Sequence, residues 1–372
     1  MRKAAGMILK NSKFKYSKAR EAILDAILSG NLEQDSNLPS EKTLCSQLGV
    51  SRITLRAALH ELEEAGIIIK RNGRPSRIDQ AALQKMRAPL RRIAWVGTSR
   101  FGRTNPIYFE IFRSFSEGAA LRNVKIDYIS LTLEAMAENF FRRQNEYDGL
   151  VLGEVTPKSR HYLPLFTHEN RICVDCPRPG IPHCVKTDSN LGGQLAARAL
   201  IESGHRRPVF LGFSDSIRTY EPFGERLRGF KETLERAGIS LAPKNILLLS
   251  SVKEEDHFPE FLKKNLPILK KADSLFAVSD TLAVSAMTEL QKMGFSIPGD
   301  ISLIGFDGMI LSRFVSPVLT TIRQPVEEIG KKALEIILNP AESESYPTVI
   351  QIPPVLLPGD SIRNRIQEDK QL

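Results

Sequence analysis

Short apolar runs alternate with helical stretches along most of the chain, and this rhythm restricts the possible folds more than any other feature. The apolar runs are 93–96, 148–152, 208–212, 275–278 and 301–306, and the helical stretches between them are 108–121, 191–204, 223–238 and 280–294. Such alternation is typical of βαβ units that build parallel sheets. About 270 residues are many for one sheet, so we expect two lobes with a ligand site beyond the carboxyl ends of the strands.

The positive charge of the chain is concentrated in its first quarter. Residues 1–92 contain 18 Lys and Arg against 9 Asp and Glu, whereas residues 93–372 contain 34 of each. A basic segment joined to a neutral remainder indicates a polyanion contact at one end and a different partner at the other. No run approaches the ~18 apolar residues of a membrane helix. The first residues resemble a tail more than a signal peptide, so a cytoplasmic location is expected.

Three helices are predicted within the basic segment. The first covers 16–29 and has its apolar side chains on one face. Ser40 can cap a second helix that ends at Gly49, and Ser51 can cap a third that runs to about Ala65. Two short helices separated by a turn that contains glycine indicate a helix-turn-helix.

The residues after the third helix predict a β-hairpin. The run 67–69 is rich in β-branched side chains, Asn72 and Gly73 form a strong two-residue turn signal, and 74–78 can return as the second strand. Helices and hairpin together predict a winged helix-turn-helix. The alternative is that these charges only cover the surface of a small helical domain.

Two arginines on the third helix suit the reading of DNA. Arg52 and Arg56 lie one turn apart, and arginine can pair bidentately with guanine in the major groove. The Ser51 hydroxyl and the free N–H groups of the helix N-terminus can approach a phosphate.

The motifs of this segment resemble the winged-helix DNA-binding domain of GntR-type bacterial regulators. The resemblance is carried by 38–42, 49–59 and 62–66. By position, the resemblance implies that operator DNA is contacted by Lys42, Arg52, Thr54, Arg56, Asn72 and Gly73. Ser51 joins these candidates because of its hydroxyl group.

Polar residues follow or closely trail several of the predicted strands. Asp188, Arg226, Asp280 and Asp307 stand at such places, and carboxylates with an arginine in a cleft suit a small polar ligand. For Asp188 and Asp280, which precede helices, the alternative role is helix capping.

A series of motifs occupies the same region, at 185–193, 200–207, 225–230, 278–283, 297–307 and 317–325. The series is similar to the effector domain of LacI/GalR-type repressors, itself like periplasmic sugar-binding proteins. The resemblance implies two α/β lobes, three crossovers, a ligand cleft and a dimer formed through the lobes. By position it implies that Arg226 and Asp307 hold the ligand, with Asp280, Gln324 and Tyr108 as further candidates. A GntR-type reader ahead of such a domain is an arrangement that resembles bacterial arabinose repressors.

The predicted fold class is α/β, an N-terminal winged helix-turn-helix plus a two-lobed effector domain like the periplasmic binding proteins. The predicted segments are a tail (1–12), the DNA-binding domain (13–78), a linker (79–91), the effector domain (92–360) and a second tail (361–372). Within the effector domain, lobe 1 is expected at about 92–187 and 325–345, and lobe 2 at about 188–323 and 346–360.

The predicted function is a ligand-responsive transcription regulator, a repressor that binds a palindromic operator as a homodimer and responds to a small polar effector such as a sugar. No cofactor or metal is predicted. Cys173, Cys176, His183 and Cys184 lack the second paired motif of a zinc site, so thiols are expected. No catalytic motif supports an enzyme. The alternative is a solute-binding or enzymatic α/β protein whose N-terminal module only docks it to a partner.

Overall fold

The computed structural model describes most of the chain. The described residues are 18–27, 37–71, 74–79, 91–98, 106–155, 157–214, 217, 220–249, 257–339 and 348–368. The predicted first tail, the turn residues Asn72 and Gly73 and most of the predicted linker lie outside these ranges.

The N-terminal domain pairs short helices with a β-hairpin. Its elements are α1 (18–27), α2 (Glu41–Leu48), α3 (Arg52–Glu64), β1 (Ile68–Arg71) and β2 (Arg74–Ile78). The two strands are antiparallel, with Ile68 opposite Ile78. Their buried faces and those of the helices share one core, made of Ala19, Ile23, Leu24, Ile27, Leu38, Leu44, Leu55, Ala58, Leu62, Ile67, Ile68 and Ile78.

Side-chain caps and a glycine fix the turn between α2 and α3. The Ser40 Oγ accepts a hydrogen bond from the Thr43 N–H, and the Ser51 Oγ accepts one from the Thr54 N–H, both at 3.2 Å. Gly49 ends α2 at φ 63°, a left-handed conformation that costs glycine little. The chain therefore reverses within a few residues and starts α3 close to the end of α2.

The remainder of the described chain forms two parallel-stranded lobes. In chain order its elements are β3 (Arg91–Gly97), α4 (Pro106–Ala120), β4 (Val124–Ser130), α5 (Glu134–Arg143), β5 (Gly149–Leu152), β6 (Arg171–Val174), β7 (His183–Thr187), α6 (Ser189–Glu202), β8 (Pro208–Phe213), α7 (Glu221–Arg236), β9 (Ile246–Leu249), α8 (Phe258–Lys264), α9 (Leu266–Leu269), β10 (Ser274–Ala277), α10 (Asp280–Lys292), β11 (Ser302–Asp307), β12 (Thr320–Arg323), α11 (Val326–Leu338), β13 (Thr348–Ile352), β14 (Val355–Leu357) and α12 (Arg365–Glu368).

Each lobe is built on its own sheet. Within the described ranges, the lobe 1 sheet has the order β13-β7-β6-β5-β3-β4, and the lobe 2 sheet has the order β14-β12-β11-β10-β8-β9. Where the register is described, neighbouring strands are parallel except β12 and β14, which are antiparallel. This agrees with the two-lobed α/β fold expected from the sequence.

The chain passes between the lobes three times within the part that the structure describes. It crosses to lobe 2 after β7, back to lobe 1 after β12 and again to lobe 2 after β13. The crossing after β12 is marked by α11, which packs on β5, β6 and β7 of the first sheet. The prediction that 346–360 lies in lobe 2 is wrong in part, since β13 (Thr348–Ile352) pairs with β7 in lobe 1. The alternating apolar residues of β13 do not reveal which sheet they join.

The prediction that 361–372 forms a second tail is wrong over the described residues of that segment. Ser361 is fully buried, its Oγ donates to the Leu303 carbonyl at 2.6 Å, and its Oγ accepts from the Thr320 N–H at 2.8 Å. Farther on, the Arg365 N–H donates to the Ser203 carbonyl at 3.0 Å. A polar, charged sequence thus packs on lobe 2 through hydrogen bonds, which a reading of hydrophobicity cannot detect. The predicted linker, 79–91, also ends one residue too late, because β3 begins at Arg91.

In the described ranges, no helix has the length and the apolar character required to cross a lipid bilayer.

Candidate DNA-binding surface and inter-lobe site

The first turn of α3 presents polar and cationic side chains to solvent. Ser51, Arg52 and Arg56 are exposed, and Thr54 is half-buried. The Ser51 and Thr54 hydroxyls lie 2.8 Å apart and bond to each other, so their first role in the free protein is to cap the helix. Lys42 is exposed on α2.

Arg56 is held by a carboxylate of the neighbouring helix. Its Nε donates to both carboxylate oxygens of Glu41, at 3.2 and 3.0 Å. Both side chains are solvent-exposed, with 67% and 41% of their surfaces accessible, and ion pairs of this kind contribute only ~0–1 kcal/mol. Glu41 therefore orients the guanidinium without binding it tightly enough to keep it from a DNA base or phosphate.

The hairpin adds further cations. Lys70, Arg71 and Arg77 are exposed on β1 and β2. The helix and the hairpin together form a cationic surface on the N-terminal domain, as the sequence predicts. The assignment of individual DNA contacts to Lys42, Ser51, Arg52, Thr54 and Arg56 stays a prediction, and Asn72 and Gly73 lie outside the described residues.

A second polar cluster lies where the lobes meet, and Arg226 is at its centre. Arg226 is on α7 in lobe 2 and only 1% exposed. Its Nη1 donates to the Val278 carbonyl at 2.6 Å and lies 3.5 Å from the Asp307 Oδ1. The guanidinium stands over the Phe306 ring at 3.6 Å from the centroid, a cation–π contact. The buried Nε has no hydrogen-bond partner among the described residues, so one donor remains for a ligand.

Asp307 and Gln324 continue this cluster toward lobe 1. The Gln324 Nε2 donates to the Asp307 Oδ1 at 2.8 Å, and the Gln324 Oε1 accepts from the Thr187 hydroxyl at 2.6 Å. Thr187 is the last residue of β7 and Gln324 follows β12, so two of the crossovers are bonded to each other. Burial raises the pKa of Asp307 to about 6, against the opposing effects of Arg226 and Gln324.

Asp280 is fully buried, and the protein itself uses both of its carboxylate oxygens. They accept from the Met309 N–H at 2.7 Å and from the Thr321 hydroxyl at 2.5 Å. Burial, and then the charge of Asp307, raise the pKa of Asp280 well above its usual range. The cap of α10 is Ser279, not Asp280. Asp280 thus braces the loop after β11, and a direct ligand contact for it stays a prediction.

Tyr108 brings α4 of lobe 1 to the same region. It is 3% exposed, and its hydroxyl has no hydrogen-bond partner among the described residues. Burial raises the pKa of Tyr108 well above its usual value, and the nearby Asp175 and Tyr220 add to the shift. An orphaned buried hydroxyl is costly unless a ligand or water satisfies it.

Several polar residues of this region were missed by the sequence reasoning. The Tyr220 hydroxyl, just before α7 in lobe 2, donates to the Asp175 Oδ2, just after β6 in lobe 1. Reading 171–174 as a strand would have placed Asp175 at its carboxyl end. Asp188, which was also considered for the cleft, caps α6 by accepting from the Leu191 N–H at 2.8 Å.

An ion-pair cluster also joins the lobes. Lys186 of β7 is 1% exposed, and its Nζ lies 2.7 Å from the Glu221 carboxylate and 2.8 Å from the Glu225 carboxylate, both on α7. Although burial lowers it, the pKa of Lys186 stays above its ordinary value because these two carboxylates bind the ammonium. A single lysine inside an apolar strand is the only sequence signal for this contact.

The cysteines do not form a metal site in the described part of the chain. Cys173, Cys176 and Cys184 are buried free thiols, and no cluster of three or more His, Cys, Asp or Glu side chains suited to a metal ion occurs among the described residues.

Comparisons with known proteins identify both parts of the chain. Residues 15–78 match the family "Bacterial regulatory proteins, gntR family", and residues 197–362 match a "Periplasmic binding protein-like domain". The chain is therefore a transcription regulator in which a gntR-type DNA-binding domain precedes a periplasmic-binding-protein-like domain.

One relative aligns with almost the whole chain. The arabinose metabolism transcriptional repressor of Geobacillus stearothermophilus is 26% identical over 380 residues, which cover 95% of this chain and 98% of that protein. The ribose operon repressor of Haemophilus influenzae is 35% identical over 178 residues, 46% of this chain and 50% of the relative. These proteins are regulators and not enzymes, as the sequence predicts for this chain.

A solved structure supports the fold. A LacI family transcriptional regulator from Enterococcus faecium with bound ribose matches with a TM-score of 0.60 and 23% identity, covering 74% of this chain and 99% of that one. The predicted fold class, a two-lobed α/β domain behind a helix-turn-helix reader, is confirmed.

Proposed function

We propose that the chain is a sugar-responsive repressor that binds a palindromic operator as a homodimer. The observation that carries this proposal is the inter-lobe cluster of Arg226, Asp307 and Gln324, combined with the cationic surface of the separate N-terminal domain. A two-fold symmetric dimer would present two α3 helices to the two half-sites of the operator. Because the operator is chromosomal DNA, the protein acts in the cytoplasm.

The charges of the inter-lobe site favour a neutral polyhydroxyl effector. Arg226 lies 3.5 Å from Asp307. Arg178 and Asp175, which follow β6 in lobe 1, are also buried, and their charges interact. The two arginines are thus balanced by two carboxylates, while burial and then Asp307 raise the pKa of Asp280 well above its usual range. A phosphorylated sugar would leave uncompensated negative charge there, whereas hydroxyl groups can donate to carboxylates and accept from guanidinium groups. The names of the relatives and the ribose-bound structural match agree with a sugar.

The DNA part of the proposal is tested by a gel shift on the region upstream of the chain's own gene, at two salt concentrations. We expect binding that weakens steeply with salt, because phosphate contacts release counterions. Arg52→Ala should weaken specific binding by about tenfold or more, the loss expected for one bidentate base contact. Arg142→Ala, which removes an exposed arginine from α5 in lobe 1, serves as the matched control and should bind normally. No shift at low salt would contradict the proposal.

The ligand part is tested by a thermal-shift screen of monosaccharides that includes arabinose and ribose. A binder present at 100 times its Kd stabilises the folded protein by ~2.7 kcal/mol, which raises Tm measurably. Arg226→Ala should abolish the shift caused by the active sugar. If no neutral sugar stabilises the protein, the proposed effector class is wrong.

A further inference from the structure

We infer that Ile53 reads the 5-methyl group of a thymine in the major groove and is therefore a sequence-selecting residue of the DNA-binding domain. The inference rests on the proposed operator binding. It adds an apolar, base-specific contact to the polar contacts already assigned to α3.

The exposure of Ile53 has no explanation within its own domain. Ile53 is 84% exposed, more than any other large hydrophobic side chain in the described ranges. The residues that α3 buries are Leu55, Ala58 and Leu62. Isoleucine is also a weaker helix former than alanine because its β-branch restricts χ1. Neither core packing nor helix stability therefore calls for isoleucine at this position.

Ile53 lies on the side of α3 opposite the domain core, which is the side expected to face DNA. At 100° per residue, Ile53 lies about 170° around α3 from the centre of the buried stripe. It is in the first turn, and the N-terminal residues of a recognition helix are those that reach base edges. Ala57 follows one turn later on the same side, and its short side chain leaves room for close approach.

The surroundings of Ile53 favour DNA over an apolar protein partner. Arg52 precedes it and Arg56 follows it on α3, and Lys42, Lys70 and Arg71 are exposed elsewhere on the same domain. The cations favour a polyanionic partner, and the apolar side chain among them favours one that also exposes an apolar group. DNA meets both conditions, because its major groove contains apolar methyl groups between the phosphate backbones. In the major groove of DNA, thymine is the base that presents a methyl group, so an apolar contact selects it.

The neighbouring polar side chains strengthen the argument. Thr54 bonds to the Ser51 hydroxyl, and Arg56 is paired with Glu41. Ile53 has its full side chain available without breaking any bond, so its contact requires no rearrangement of the helix tip.

The test uses duplexes that the full-length protein itself selects from a random-sequence pool. In the selected sequence, each thymine is replaced in turn by deoxyuridine, which removes the 5-methyl group and keeps base pairing. We expect one position in each half-site at which this replacement weakens binding about three- to fivefold, the value of one buried methyl group. Replacement at both half-sites together should multiply the two factors.

The variant Ile53→Ala links that effect to the side chain. It should bind the thymine duplex several-fold more weakly and show no further loss with deoxyuridine at the sensitive position. Ile53→Val, which keeps the β-branch, should retain most of the sensitivity. His60→Ala, on the same side of α3 but two turns away, should retain all of it. Because residue 53 is exposed, the thermal stability of Ile53→Ala should not fall.

Two outcomes overturn the inference separately from the proposed function. If the wild-type chain selects a sequence but tolerates deoxyuridine everywhere, or if Ile53→Ala is as sensitive as wild type, Ile53 does not read a thymine methyl although the chain reads DNA. If no sequence is enriched from the pool, operator binding itself fails and the inference fails with it.

Discussion

At the scale of single residues, Asp307 has an unusual backbone conformation. Its φ is 128°, a value that L-residues rarely adopt, and the next residue, Gly308, has φ 72°. A Cβ at Gly308 would lie 2.8 Å from the Cα of Arg323, so the strand ends in a tight approach to β12. Strain of this kind persists where the surroundings over-determine the conformation. Here the Gln324 amide and the Arg226 guanidinium hold the carboxylate at the lobe junction.

The raised pKa of Asp307 predicts that effector affinity depends on pH. A sugar hydroxyl that donates to Asp307 requires the ionised carboxylate, which is lost in the free protein below about pH 6. We expect the affinity to be constant above pH 7 and to fall about tenfold by pH 5, as one protonation requires. Calorimetric titration of the active sugar across this range is the measurement.

The same pKa also fixes the sign of a stability effect. A carboxyl group whose pKa rises from 3.8 to about 6 on folding binds its proton more tightly in the folded state. Its contribution to stability is complete below pH ~4 and is lost as the pH rises through about 6. Asp307→Asn should therefore remove both pH dependences, and an unchanged pH profile in this variant would show that another group titrates.

At the scale of elements, the packing of α6 on α7 positions Arg226. A Cβ at Gly193 of α6 would lie 2.1 Å from the carbonyl oxygen of Arg226, and a Cβ at Gly229 of α7 would lie 2.0 Å from the carbonyl oxygen of Asn190. Glycine at these positions lets the two helix backbones touch. This contact fixes the height of Arg226 above β11.

Gly193→Ala tests this packing. The added methyl group must push the helices apart, so we expect a loss of ~1–3 kcal/mol in the free energy of unfolding, the range typical of overpacking. Because Arg226 moves with α7, effector affinity should fall as well. Urea denaturation and the thermal-shift response are the measurements.

The control lies on the same helix. Arg198→Ala changes an exposed side chain of α6 and should alter stability by less than ~0.5 kcal/mol. If Gly193→Ala were as stable as this control, the close contact between α6 and α7 would not be required.

At the scale of the whole molecule, polar contacts join the two lobes at several separate places. Lys186 binds Glu221 and Glu225, Tyr220 donates to Asp175, and Thr187 donates to Gln324. A ligand bound between the lobes, as proposed above, would compete with or complete such contacts. Its binding energy could therefore shift the equilibrium between different orientations of the two lobes. Such a shift is what a regulator needs in order to couple ligand binding to DNA affinity.

The two-part organisation predicts that the ligand response and DNA binding can be separated. Arg226→Ala should leave ligand-free binding to the selected duplex unchanged, because the N-terminal domain has its own core. It should also remove the effect of the active sugar on DNA affinity, a coupling expected to be about 5- to 150-fold. Fluorescence anisotropy with and without sugar measures both quantities. A variant that loses both together would show that the two parts do not act separately.

Much of the architecture was predictable because it depends on local signals. Ser40 and Ser51 start α2 and α3, and Gly49 ends α2, at the positions that capping rules predict. The alternation of apolar runs identified β3, β5, β8, β10 and β11. Arg226, Asp307 and Gln324 were found at strand ends or by position in a motif, and the structure brings these three together.

The remaining features depend on contacts between distant residues. Asp175, Tyr220 and Lys186 come together only because three crossovers return the chain to the same junction, and Ser361 is buried by hydrogen bonds that its polar sequence does not announce. Local order follows from side-chain periodicity and caps, since these act within a few residues. Which strand joins which sheet, and which charges meet, depends on burial and on partners far along the chain, and so only the tertiary structure decided them.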